Sequence, residues 1–173
     1  MATNNSANTY IVPTSNNEVT MPSQPAFLAY LGTDDNNVTG NAATFTLGSG
    51  NALTEVFDQG GDFVTTGTFT APVTGRYLLG YSLFIGDLTA AMTYGFQNII
   101  TSNGTYPCCM INVGAVRTVA AAPNNYQPSS CVLADMDSSD TCTVTLRIDG
   151  GAGNTADLLQ NSRRINMWGL LVC

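Results

Sequence analysis

Between Tyr77 and Ile85 every second residue is apolar or aromatic: Tyr77, Leu79, Tyr81, Leu83 and Ile85, with Gly80 and Ser82 among the residues between them. Successive side chains of a β-strand point to opposite faces, so a period of two marks a strand with one buried face. Just upstream, Phe69 and Ala71 alternate with Thr68 and Thr70, and Pro72 and Gly75 punctuate a reversal. Residues 67–83 therefore predict two strands around a tight turn, and the rest of the chain is organised about them.

The same reading extends along the chain. Residues 25–31, 44–47 and 55–57 form short strands, with turns at 34–37, 48–50 and 58–62. Residues 94–101 and 106–113 flank Ser102-Asn103-Gly104-Thr105, and Asn-Gly readily takes the positive φ of a hairpin turn. Residues 130–136 and 141–148 predict a second hairpin about the acidic turn 137–140. In it Cys142, Val144, Leu146 and Ile148 face one way and Thr143, Thr145 and Arg147 the other. Residues 117–127 are a long loop and 149–154 a flexible one. The last strand, 165–173, is apolar on both faces from Met167 on, which predicts burial on both sides. Neither a helical stripe nor a fixed-period repeat appears. The expectation is an all-β antiparallel sandwich over residues 25–173, preceded by a tether or extended arm over residues 1–24.

Composition narrows the function. Charged residues are 10% of the 173, against ~25% in ordinary soluble domains, so 17 Asn and 23 Thr must supply the polar surface. Net charge is −7, all five cations are Arg, and Arg163-Arg164 is the one adjacent pair. Nucleic acid and anionic membranes demand clustered cations, so neither is an expected partner. No apolar run of ~18 residues is present to span a bilayer. Residues 1–10 lack the basic-then-apolar pattern of a signal peptide; export by another route, or removal of a leader or larger upstream region, would explain this.

Phe69, Gly75, Tyr77, Leu79 and Tyr81, at these spacings, resemble the signature of the complement C1q globular-head family, related in fold to tumour necrosis factor. That family usually has Phe where this chain has Leu79. Asp137-Ser-Ser-Asp140 is similar to the family's Leu-x-x-Gly-Asp turn, with Ser139 replacing Gly, and the aromatic, Gly169 and leucines near the end look like its closing strand. The resemblance implies a ten-stranded jelly roll with both termini at one end, assembled as a tight homotrimer. It also implies calcium near the trimer apex.

The chain has no His, which removes the usual general base, transition-metal ligand and pH switch. Cys108-Cys109 has no ordinary base to activate it, and the carboxylates at the 137–140 tip lack the apolar cleft of a glycosidase. No enzymatic activity is expected. Asp135, Asp137 and Asp140 make a charged turn or, by the resemblance, a calcium site that Asp149 and Asp157 would join if their loop reaches the same end. If the second hairpin is symmetric about its tip, Cys131 and Cys142 lie opposite each other on the core face, as a cross-strand disulfide or as two packed thiols. Tyr94, Tyr106 and Tyr126, with Asn103 and Asn125, lie at or near turns. Tyr among Asn and Ser suits sugars and protein surfaces, although each ring could equally cap the core. The apolar and aromatic faces of residues 77–85 and 167–172 exceed what one sandwich core needs, and the surplus predicts a buried subunit contact; Phe69, Tyr77, Leu79, Tyr81, Leu83, Trp168 and Leu170 are expected in trimer or core packing.

These readings converge on a trimeric recognition head at the tip of a fibre or stalk, extracellular or on a virion surface. It would bind a cell-surface glycan or protein through apical loops. A bacterial surface or secreted adhesin, or a purely structural trimerisation or capsid-decoration module, would use the same head.

Overall fold

The computed structural model describes residues 12, 13, 19–21, 23–116 and 124–172. In chain order the strands are β1 (Val12–Pro13), β2 (Val19–Thr20), β3 (Ala26–Leu31), β4 (Asp35–Thr39), β5 (Thr44–Thr46), β6 (Leu53–Gln59), β7 (Phe63–Val64) and β8 (Thr68–Thr70). They continue with β9 (Gly75–Ser82), β10 (Ile85–Gly86), β11 (Tyr94–Thr101), β12 (Gly104–Asn112), β13 (Ser129–Met136), β14 (Thr141–Ile148), β15 (Ala156–Leu158) and β16 (Asn166–Leu171). One helical turn, α1 (Val113–Val116), follows β12. Most of the expected arm falls outside the described residues; within it, β1 pairs with β2.

Two antiparallel sheets face each other. One runs β13-β9-β16-β3-β6; the other runs β12-β11-β14-β8-β7, with β5 also on β14. A small third sheet, β10-β15-β4, closes one end. This is the expected antiparallel jelly roll, with six and five strands in its main layers, three of the six being the short pieces β5, β7 and β8.

The central strand behaves as its period of two demands. Tyr77, Leu79 and Tyr81 are at most 1% exposed and point between the sheets, while Arg76, Leu78, Gly80 and Ser82 point out. Phe27 stacks on Phe63 and on Phe69 with centroids 4.7 and 4.8 Å apart, and Phe69 tilts against Tyr77 at 5.5 Å. Four rings from both sheets therefore interlock at one level, each large enough to dominate core energetics. The Tyr77 hydroxyl donates to Val73 O at 2.7 Å, which satisfies it inside the core.

Two expected pairings are replaced. Residues 67–83 do not form a hairpin: β8 lies in the six-stranded sheet and β9 in the five-stranded one, so the Pro72 reversal carries the chain across the sandwich. Residues 130–136 and 141–148 do the same. β13 pairs with β9, setting Cys131 opposite Gly80, while β14 pairs with β11 and sets Cys142 opposite Thr101. The two crossings lie side by side and bond to each other. Ala71 N donates to Asp140 O at 2.8 Å, Ser139 N to Ala71 O at 2.7 Å, and Ser138 Oγ to Pro72 O at 3.1 Å. Each crossing thus supplies partners for backbone groups the other would leave open. The 94–101/106–113 hairpin forms as its Asn-Gly turn predicts, with a bulge at Cys108.

Candidate self-association face and recognition surface

The outward face of the five-stranded sheet follows directly from register. Leu133, Leu78 and Leu170 lie abreast across β13, β9 and β16; Cys131, Gly80, Trp168, Leu28 and Phe57 form the next row, across all five strands. Leu133 is 56% exposed, Phe57 48% and Leu170 37%. A continuous apolar band thus crosses a sheet whose other face is already the core. Trp168 lies flat over Gly80, since a Cβ at that glycine would sit 2.2 Å from the indole.

The residues expected in trimer or core packing therefore divide in two. Phe69, Tyr77, Leu79, Tyr81 and Leu83 are used up inside the single-chain core. Trp168 and Leu170 belong to the outer band, with Leu28, Phe57, Leu78 and Leu133, which sequence reasoning did not single out. Leu78 was legible at an even position of β9, whereas Leu28, Phe57 and Leu133 join the band through pairing register.

The sandwich has two unlike ends. At one, Leu171 N donates to Pro25 O and Val172 N to Arg76 O, so the head's strands enter and leave there. The two crossings lie at this end too. Asn103 Nδ2 donates to Asp140 Oδ2 at 2.7 Å, Asp137 N donates to the same oxygen at 2.8 Å, and Thr74 Oγ1 donates to Asp137 Oδ1 at 3.3 Å. Asn103 and the acidic turn thus brace the entry end and are not apical. Among the described residues no three His, Cys, Asp or Glu side chains are grouped to hold a metal ion. Asp135, Asp137 and Asp140 do not converge as a calcium site: the turn's oxygens serve its own backbone. Nor does Asp149 join them, since it pairs with Arg147 at 2.6 Å. Asp157 accepts from Asn37 N at 2.6 Å in the sheet at the far end, where burial, with Asp87 beside it, raises its pKa.

The expected Cys131–Cys142 contact is also absent. Both are free thiols in different sheets, Cys131 exposed on the outer band and Cys142 buried in the core. Burial pushes the Cys142 thiol up to about 12, a packed hydrophobe rather than a nucleophile.

The end opposite the entry carries the loops around Gly40, residues 83–93, 113–116, 124–126, 149–155 and 160–164. At its margin, on the outer face of the six-stranded sheet, Tyr94 is 47% exposed, with Phe96 6.4 Å away on the same strand face. Met110 stands opposite Phe96 on β12 and is 69% exposed; Arg147 stands opposite it on β14, its guanidinium 5.7 Å from the ring. Asp149 accepts from Arg147 Nε at 2.6 Å and Nη2 at 3.0 Å, which fixes the fork in place. Chemically this is a shallow aromatic and thioether platform with an oriented ion pair at its border. Only Tyr94 of it was foreseen; Phe96 was legible by the period of two, whereas Met110 and Arg147 depend on pairing register.

The other expected binding tyrosines turn inward. Tyr106 is half-buried against the core. The Tyr126 hydroxyl is buried beside Tyr81, Cys109 and the fully buried Gln97, and burial holds both phenols well above their usual pKa. Asn125 sits half-exposed beside Gly86 at the far end.

Two facing antiparallel sheets, chain ends gathered at one pole and loops at the other define a jelly roll of the C1q and tumour necrosis factor kind. Solved structures agree. The chain is similar to murine APRIL at pH 8.0, with a TM-score of 0.57 and 10% identity over 86% of this chain and 99% of that one. It is also similar to the globular domain of zebrafish complement 1qA protein, with a TM-score of 0.52 and 14% identity over 86% and 98%. No family model and no curated protein sequence matches. At such identities the likeness concerns the fold.

Proposed function

We propose that the chain is a non-enzymatic trimeric recognition head, carried at the tip of a fibre or stalk and binding a cell-surface glycan or protein with its far end. The observation that carries this reading is the apolar band on the five-stranded sheet. Leu133, Phe57 and Leu170 lie exposed in a row pattern that no described residue covers, and burying such side chains fully is worth about 1.5–3 kcal/mol each. A soluble monomer seldom leaves a patch of this kind open, whereas packing against sister copies covers it and shields the edge strands β13 and β6.

The head's polarity supports the recognition half. Chain entry and exit at one pole leave the loops and the Tyr94–Phe96–Met110 platform free at and around the other. Three weak sites held on one rigid trimer act together, so modest single-site affinity suffices. The neutral Asn- and Thr-rich surface suits an exterior setting such as a virion fibre, and a bacterial adhesin head would work by the same physics. A glycan array and a host-cell binding assay on the purified head test the reading. Binding that is lost in Tyr94→Ala with the mass unchanged supports it; a stable trimer that binds neither cells nor glycans reduces the protein to an assembly module.

A further inference from the structure

We infer that the turn at residues 161–164 is an anion-binding site for the carboxylate or sulfate of an acidic saccharide, an inference that rests on the far end being the recognition end. Arg163 and Arg164 are both exposed and adjacent, in a chain with twelve acidic residues and five basic ones. Neither forms an ion pair with a described carboxylate, whereas Arg147 pairs with Asp149 at 2.6 Å. Asp34 accepts from Gln160 N at 2.6 Å. Among the described residues these two guanidiniums thus have no ion-pair partner, in a chain with more acids than bases.

They are nevertheless held. The Arg163 guanidinium lies 4.9 Å from the Tyr30 ring centroid, and that of Arg164 lies 4.7 Å from that of Phe84. Stacking occupies the flat face of a guanidinium and leaves its N–H edge free, and that edge matches a carboxylate or sulfate with two parallel hydrogen bonds. The backbone is committed as well. Ser162 and Arg163 take φ of +52° and +65° in succession, a region that side-chain-bearing residues avoid, and Asn166 Nδ2 donates to Arg163 O at 3.0 Å to hold the turn. A local cost of this sort points to a task for the residues it displays. Ser162 and Asn161 beside the pair offer the neutral hydrogen-bonding partners that a sugar ring needs.

The overall charge of −7 shapes what the site accepts. Long-range steering of a polyanion would be unfavourable, so recognition must be local, of a terminal acidic group rather than of an extended charged chain.

The test uses the full chain and calorimetric titration with sialyllactose (carboxylate), sulfated lactose (sulfate), lactose (neutral) and a tetraglutamate peptide. The expected result is binding of one or both acidic sugars, at least tenfold weaker for lactose, with a further loss of about tenfold or more in Arg163→Gln/Arg164→Gln. Arg163→Lys/Arg164→Lys keeps the charge without the fork and should also lose most of the affinity. Sedimentation and thermal melting confirm that both variants fold and assemble. Equal binding of lactose, equal or better binding of tetraglutamate, or full affinity in the Gln variant overturns the site. Full host-cell binding by the Gln variant would sink this inference while leaving the recognition head intact; absence of cell binding by the unmodified chain would sink the head itself.

Discussion

At the scale of single residues, Cys142 and Gly80 carry the sharpest consequences. Desolvation lifts the Cys142 thiol from 9.0 to about 12, so the folded chain keeps that proton at pH values where the unfolded chain gives it up. The stability tied to this group is whole below pH 9 and drains away as pH rises toward 12. Urea melts between neutral and alkaline pH should show a decline that Cys142→Ala flattens, on top of a constant loss for the deleted volume; an unchanged slope would place the thiol in water. Native alkylation should likewise spare Cys142 and need denaturant to reach it. Gly80 acts on the opposite face. A methyl group there would meet the indole of Trp168 at 2.2 Å, so Gly80→Ala must lift the ring from the sheet. Trp168 is the chain's single tryptophan, and its fluorescence should shift to the red. An unshifted spectrum would mean that the ring does not lie on the sheet.

Among the elements, the crossings decide the fold. Residues 67–83 and 130–148 each present two alternating runs about a polar turn, which is also the pattern of a hairpin. Alternation reports which side chains share a face, not which strand lies alongside, so the strands were legible and their partners were not. The partner is chosen by long-range fit: Phe69 and Tyr77 must meet from opposite sheets, and the two turns satisfy each other's carbonyls through Ala71, Ser139 and Asp140. For the same reason the acidic turn was legible as a turn but not as a feature of the entry pole, and the aromatic platform was legible at Tyr94 but not at Arg147, which the register of β11 on β14 sets opposite Phe96. A second tight spot is Gly67. Its φ is +87°, and a Cβ would stand 1.8 Å from Leu47 O, so Gly67→Ala should cost more than about 2 kcal/mol in chemical denaturation. A neutral result would show that the β5-to-β8 region repacks freely. On the outer band, Leu133→Asp places a charge on a strand whose inward residues are untouched. The isolated chain should still fold, with its melting transition nearly unchanged at high dilution, yet fail to associate.

For the whole molecule, the arrangement has a single logic. One sheet gives its inner face to the core and, in the proposed trimer, its outer face to other copies; the second sheet carries a small aromatic platform; the chain enters at one pole and displays loops at the other. In the proposed role rigidity takes the place of chemistry, and burial keeps the Cys142 thiol neutral. Every functional statement above depends on the apolar band being covered by sister chains. Sedimentation equilibrium at micromolar concentration measures that directly. The expected mass is close to three times the 18.2 kDa of one chain, falling to a single chain in Leu133→Asp. A stable species of one chain's mass in the unmodified protein would contradict it.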